Sequence, residues 1–340
     1  MEKIDLKSLS KDDVESFIKD AGLPSFRSRQ ILHWIYGRYA QSLEEITELS
    51  KKLREELAER AYISNLTLLN RMTSHDGTEK FLFGLEDGET IESVLIPDEE
   101  RLTLCISSQV GCAMGCVFCL TGKSGLKRNL GPHEIIDQVI SVNRMILPRR
   151  ITNIVLMGMG EPLANFDNVV EALRRMTGVM VISPRRITLS TAGIVPRIAE
   201  LGQLGLKVNL AISLNATTDS VRDVIMPINK TYPIKALLDT CRKLPLQQTR
   251  KITFEYVMLK DINDSTADAK RLVRLLHGIQ SKINLIPFNP YSDCRYERPD
   301  DIAVLRFQEI LAKAEVTVII RKSKGRDILA ACGQLKARYK

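Results

Sequence analysis

Apolar positions follow two rhythms along this 340-residue chain. Over residues 1–62 they recur at helical spacing. "SKDDVESFIKDAGL" starts at a serine suited to cap a helix, "SFRSRQILHWIYGRYA" keeps a 3–4 residue period, and "SLEEITELSKKLREELAERA" predicts a further helix capped by Ser42. Residues 63–100 alternate polar positions with β-formers around Asp76-Gly77 and Asp87-Gly88, the pattern of β-hairpins. From residue 101 to 340 six apolar runs recur: "LTLCIS", "NIVLMG", "RITLST", "KVNLAISL", "KITFEYVM" and "KINLIPF". Amphipathic stretches such as "GPHEIIDQVISVNRMI", "NFDNVVEALRRM", "STADAKRLVRLLHGI" and "PDDIAVLRFQEILAKA" separate or follow them. Continuous apolar strands alternating with helices predict an α/β core, a parallel sheet covered by helices, either open or closed into an incomplete barrel. Both architectures carry their chemistry at the C-terminal ends of the strands.

Composition changes this picture little. With 44% hydrophobic and 26% charged residues the chain is that of an ordinary globular protein, and no apolar run reaches the 18 residues that suggest a membrane span. "MEKIDLKSLSKDD" has no apolar signal core, so a cytoplasmic location is expected, where cysteines stay reduced. A net charge of +8 favours an anionic partner, although lysines on solvated faces account for it equally well. The first 65 residues are close to neutral, which leaves the excess further on, including "RKSKGRD" and "LKARYK".

Seven cysteines, an odd number with three clustered, fit metal binding or catalysis better than a disulfide framework. In "GCAMGCVFCLTG", Cys112, Cys116 and Cys119 stand at i, i+4 and i+7 beside Gly111, Gly115 and Gly122. A structural zinc site takes four ligands, commonly as two separated pairs; no second pair is present, and His133 is the one candidate nearby for a fourth ligand. Three thiolates on a four-iron cluster instead leave one iron open. On the same predicted rim, "MGMGEPLAN" offers Gly158 and Gly160 for close backbone approach and Glu161 as an acceptor for an ammonium group.

The CxxxCxxC spacing with Phe118 before the last cysteine resembles the signature of radical S-adenosylmethionine (SAM) enzymes. The resemblance implies a partial (β/α)6 TIM-like barrel, with SAM held on the open iron and cleaved to a 5'-deoxyadenosyl radical. It extends over nearly the whole chain, through "SSQVGC", "KRNLGPHEIIDQV", "MGMGEPL", "RITLSTAGIVPRI", "VRDVIMPINKTYPI", "KINLIPFNPY" and "VIIRKSKGRDILAACGQL". These segments resemble the methylating subgroup best known from the dual-specificity RNA adenine carbon-2 methyltransferases, the RlmN type. By that resemblance, Cys112, Cys116 and Cys119 ligate a 4Fe-4S cluster. SAM contacts come from Gly160, Glu161, Ser190, Ser213, Leu214, Asn215 and Asn289. The family often has His where Asn215 stands, so a hydrogen-bonding role without acid–base chemistry is expected there.

The family scheme consumes two SAM per turnover. The first methylates Cys332; the second supplies the radical that removes hydrogen from that methyl group. The carbon radical adds to the adenine ring, Cys105 takes part in removing the ring proton, and Cys105 then attacks the Cys332 sulfur to release the product with formation of a disulfide bond. Glu92, in "ETIESVLIP", aligns with an acidic residue proposed as proton acceptor. Expected partners are 23S rRNA, tRNA, and a low-potential electron donor such as flavodoxin or ferredoxin; no membrane is expected. Arg27, Arg29 and Arg38 of the helical accessory domain, and Arg321, Lys322, Lys324 and Arg326 near Cys332, are candidates for contacting RNA phosphates. Three other readings stay open: the related carbon-8 adenine methyltransferase, against which Pro162 of "GMGEPL" weighs; a radical enzyme that methylates nothing; and a zinc-dependent RNA-binding protein without catalysis.

Overall fold

The computed structural model describes residues 3–247, 249–292 and 294–336, so the last four residues of "LKARYK" lie outside it. Helix α1 (Lys11–Asp20) begins where the Ser10 hydroxyl accepts from the Asp13 N–H and the Asp13 carboxylate accepts from the Ser10 N–H, a reciprocal cap that satisfies two end donors. Helix α2 (Phe26–Gly37) buries Ile31, Leu32 and Ile35. The helix expected from Ser42 is interrupted: only a 3-10 turn, Leu43–Glu45, follows it, and α3 (Lys51–Arg60) starts afresh with Ser50 capping the Leu53 N–H. Leu43, Ile46 and Leu49 are all buried, and Glu45 is drawn into a paired contact with Arg144 at 2.8 and 3.1 Å. Tertiary burial of that apolar triplet outweighs the helical preference of the run.

This N-terminal unit is fastened to the rest through a buried charge pair. Lys7 Nζ lies 2.5 Å from Asp137 Oδ1, with side-chain exposures of 1% and 4%, and Asp137 Oδ2 accepts from the Leu66 N–H. Removing one member strands the other charge in a dry site, so Lys7→Met is expected to destabilise the protein by about 3–5 kcal/mol. The double variant Lys7→Met with Asp137→Leu should recover much of that loss. Denaturant midpoints of both variants check this, and a Lys7→Met midpoint equal to that of the parent would contradict it.

Strands β1 (Thr67–Thr73), β2 (Glu79–Gly84) and β3 (Thr90–Asp98) form an antiparallel meander turning at the two Asp-Gly pairs. It is hydrogen-bonded straight into the core sheet, because β3 pairs antiparallel with β4 (Arg101–Cys105). From β4 onward the chain alternates: α4 (Pro132–Ile146), β5 (Asn153–Leu156), α5 (Phe166–Gly178), β6 (Ile187–Thr191), α6 (Val195–Gln203), β7 (Asn209–Ser213), α7 (Asp219–Ile225), α8 (Ile234–Lys243), β8 (Ile252–Met258), α9 (Thr266–Leu276), β9 (Ser281–Pro287), α10 (Asp301–Lys313) and β10 (Val318–Ile320). The ten strands lie in strict sequence order in one sheet, with β4 to β10 parallel and β1 and β10 as its edges. This is the α/β barrel that does not close. All six predicted strands form, and β10 is an additional seventh parallel strand, too short to stand out in the sequence.

The main core runs between this sheet and its helices. A second apolar cluster, including Ala216, Met226, Leu259, Phe288 and Tyr291, sits beneath the cysteine loop. Residues 321–336 form no regular element and are held by bonds from several others. Gly333 O accepts from the Leu120 N–H at 2.7 Å, Leu335 O from Thr121 Oγ1 at 2.6 Å, and Glu92 from the Lys336 N–H at 2.8 Å. No helix among the described residues is long and apolar enough to cross a membrane.

Candidate active site

The parallel sheet delivers side chains to one rim. Cys105 ends β4, the "MGMGEP" turn follows β5, Ser190 lies at the end of β6, Ser213 ends β7, Asn289 follows β9, and Arg321 follows β10. The three-cysteine loop leaves this rim after a short strand pair, Gln109–Gly111 with Leu126–Asn129. Gly111, with φ +77°, is needed at its neck: a Cβ there would meet Gly125 O at 1.9 Å, the same carbonyl that accepts from the Cys112 N–H. The far side of the loop is tied down by Val117 N–H to Ile225 O and by Leu120 N–H to Gly333 O, so the Cys332 segment packs directly on it.

One cavity collects Cys112, Cys116 and Cys119 together with Cys332. Gly160, Glu161, Ser190, Ser213, Asn215 and Asn289 line the same space. A second, adjoining cavity is lined by Cys105, Met157, Asn289, Arg321 and again Cys332. Cys332 is therefore common to both, although 213 positions separate it from Cys119 in the chain.

Gly160 has φ +100°, and a Cβ on it would fall 2.6 Å from Gln109 Cβ; the glycine permits packing of the turn against the β4 exit loop rather than bare access to a ligand. The Glu161 carboxylate already accepts from Ala192 N–H at 2.6 Å and Leu163 N–H at 3.0 Å, and burial pushes its pKa up. Asn215 adopts a left-handed φ of +56°, which Asn tolerates better than most residues, and its Oδ1 accepts from the Val257 N–H. Leu214 is fully buried and lines neither cavity; its N–H and C=O are taken by Glu255 O and Arg222 Nε. Glu92 does not reach either cavity. Its carboxylate pairs with Lys80 Nζ at 3.1 Å and receives the Lys336 N–H, so it anchors the end of the Cys332 segment. His133 lies in the first turn of α4 with its ring against Gly131, and it lines neither cavity.

Arg321 is also not the outward-facing cation expected. It lines the Cys105–Cys332 cavity, and its Nη1 is 3.7 Å from both Glu255 Oε1 and Met157 Sδ. Lys322 and Lys324 remain at the mouth of that cavity. Sequence reading missed Glu255 and Arg222 altogether. Glu255 sits mid-strand in β8, with Oε2 accepting from Ser190 Oγ at 3.0 Å and Oε1 buried without a hydrogen-bond partner. The available signal was one carboxylate inside the apolar run "ITFEYVM". Arg222, wholly buried, donates to Leu214 O, Ser213 O and Ala192 O, cross-linking the exits of β6 and β7; burial lowers its pKa to about 10.

The comparisons with known proteins agree with this geometry. Residues 106–273 match the Radical SAM superfamily, and residues 4–63 match the Ribosomal RNA large subunit methyltransferase N-terminal domain. The dual-specificity RNA methyltransferase RlmN of Pelobacter propionicus is 53% identical over 339 residues, covering 99% of this chain and 97% of its own. That of Geobacter sulfurreducens is 55% identical over 337 residues, covering 98% of this chain and 92% of its own. This chain belongs to the RlmN family. A crystal structure of a radical SAM methyltransferase from Sphaerobacter thermophilus superposes with a TM-score of 0.94 at 41% identity, covering 98% of this chain and all of that one.

RlmN enzymes are radical SAM proteins, using a 4Fe-4S cluster and SAM. The donor set here suits that cluster. Cys112, Cys116 and Cys119, all from one short loop, line one cavity and offer one thiol to each of three irons. Among the described residues no three His, Cys, Asp or Glu side chains converge on one ion, whereas a cuboidal cluster takes one thiolate per iron.

Proposed function

We propose that this RNA methyltransferase acts on carbon 2 of an adenine in 23S rRNA and in tRNA, with Cys332 as methyl carrier and Cys105 as the thiol that resolves the protein–RNA bond. The observation that carries this reading is the sharing of Cys332 between the three-cysteine cavity and the Cys105 cavity. When bound, the cluster and SAM supply the transferable methyl group and the hydrogen-abstracting radical that an unactivated ring carbon demands. Cys112, Cys116 and Cys119 are the residues to ligate the cluster. Gly160, Glu161, Ser190, Ser213 and Asn289 are positioned to hold SAM; Asn215 contributes to the cavity wall through its fixed amide, and Leu214 only through backbone that braces it.

The chain's own work is then positional. Backbone bonds from Leu120 and side-chain bonds from Thr121 and Glu92 hold the Cys332 segment over the cysteine loop, which keeps the sulfur near both cavities. Met157 and Ile286 give the Cys105 cavity apolar walls suited to a planar base, while Lys322 and Lys324 at its mouth suit phosphates. Arg29 and Arg38, exposed on α2 and at its end, offer further cations for phosphates on the helical unit, residues 1–62; residues 63–100 join it to the core, residues 101–340. A low-potential donor such as flavodoxin or ferredoxin and a cytoplasmic location complete the reading.

The test is product analysis. Anaerobically reconstituted enzyme is incubated with 23S rRNA and with tRNA, and digested RNA is compared by mass spectrometry and chromatography with synthetic 2-methyl and 8-methyl adenosine. The expected product from both RNAs is 2-methyladenosine. Finding 8-methyladenosine would replace this assignment with the carbon-8 one.

A further inference from the structure

We infer that Arg321 is the positioning residue for both reactive thiols, pairing first with the Cys332 thiolate and then with Cys105, while Glu255 competes for the same guanidinium. The inference rests on the methyl-carrier reading of Cys332. Its basis is placement: β10 ends at Ile320, and the Arg321 N–H to Leu285 O bond, 2.8 Å, fixes the residue at the rim. From there the guanidinium enters a cavity that holds the two thiols. Cys332 lines that cavity beside it, and Arg321 Nη1 stands 3.7 Å from Glu255 Oε1, a buried oxygen without a hydrogen-bond partner.

The charge balance explains why one cation serves two sulfurs. Once the Cys332 thiol has lost its proton to solvent, its sulfur pair forms the new S–CH3 bond. The methyl–sulfonium bond breaks with its pair on the departing sulfur, giving two neutral thioethers. The thiolate charge that Arg321 paired with is then gone, and Glu255 and Cys105 are the remaining acidic partners within reach. Burial, the neighbouring Cys332 charge and the Glu255 carboxylate hold the Cys105 thiol up at about 12, and Arg321 opposes them. Methylation of Cys332 removes one of these raising effects and frees the guanidinium, which favours a Cys105 thiolate at the stage where one is needed.

The test follows deuteromethyl transfer from labelled SAM to Cys332 without reductant, by peptide mass spectrometry on reconstituted enzyme. Arg321→Ala should slow transfer roughly 10- to 100-fold, the scale of one charge-assisted hydrogen bond. Added guanidinium chloride, against sodium chloride at equal ionic strength, should restore much of the rate, and Arg321→Lys should retain most of it. Glu255→Gln, which removes the competing carboxylate charge, should speed transfer, and slower transfer would contradict the competition. In enzyme already methylated at Cys332, Arg321→Ala should slow iodoacetamide labelling of Cys105 by a similar factor.

Transfer in Arg321→Ala within about threefold of the parent, too small for such a bond, would overturn the inference, as would loss of transfer that guanidinium fails to restore. If the parent itself places no label on Cys332, the methyl-carrier reading fails. Iodoacetamide labelling of Cys332 in parent and Arg321→Ala enzyme then judges the pairing separately, equal rates ruling it out.

Discussion

Cys332→Ala is expected to abolish RNA methylation, by on the order of 10^4-fold or more, the scale of removing a covalent nucleophile. The loss should be chemical rather than structural. The bonds fastening residues 321–336 run through Gly333 O, Leu335 O, the Gln334 side chain and the Lys336 N–H, none of which the substitution touches. The variant should therefore keep its thermal midpoint and its iron and sulfide content, and still cleave SAM reductively. Methylated adenosine counted in digested RNA checks the result. A variant that turns over at a tenth of the parent rate would mean that the methyl group reaches RNA without this sulfur.

Cys105→Ala should fail at a different point. Methyl loading on Cys332 does not require the second thiol, so the first turnover should proceed as far as the protein–RNA bond and stop there. The expected result is a slow-migrating protein–RNA species on a denaturing gel, approaching one RNA per enzyme, while multiple-turnover methylation falls about 100-fold or more, as for loss of a proton-transfer group. Val94 and Val155 flank Cys105 in the sheet, so trimming its sulfur leaves the strand pairing unchanged. Methylation at the parent rate with no crosslinked species would remove Cys105 from the mechanism. The double variant with Cys332→Ala should show no crosslink, since it lacks the sulfur proposed to carry the carbon that bonds RNA.

The parts of the fold visible in the sequence are those whose signal is local. Apolar runs of six to eight residues mark six parallel strands, and the 3.6-residue period marks the helices between them. The short β10 escaped because three residues, partly exposed, carry no period. Ser42 misled because two serines, at 42 and 50, both precede acidic or helical runs, and only burial of Leu43, Ile46 and Leu49 selects the second. Glu92 and Arg321 read as a candidate acid and a candidate RNA contact, yet each is taken by partners distant in the chain: Lys80 and the Lys336 N–H for one, Glu255 and Met157 for the other.

What the sequence determined by itself is the rhythm of strands and helices, the three-thiol loop on the rim of the parallel sheet, and the supply of two further cysteines in recognisable settings. Spacing suffices for these because a loop of eight residues can bring its sulfurs together with no help from elsewhere. Only the tertiary structure decided that Cys332 stands between the two cavities, that Arg321 turns inward beside it, and that a carboxylate on β8 meets that guanidinium. Those are juxtapositions across tens to hundreds of positions, produced when the parallel strands gather their ends on one side, and no local pattern of residues encodes which end meets which.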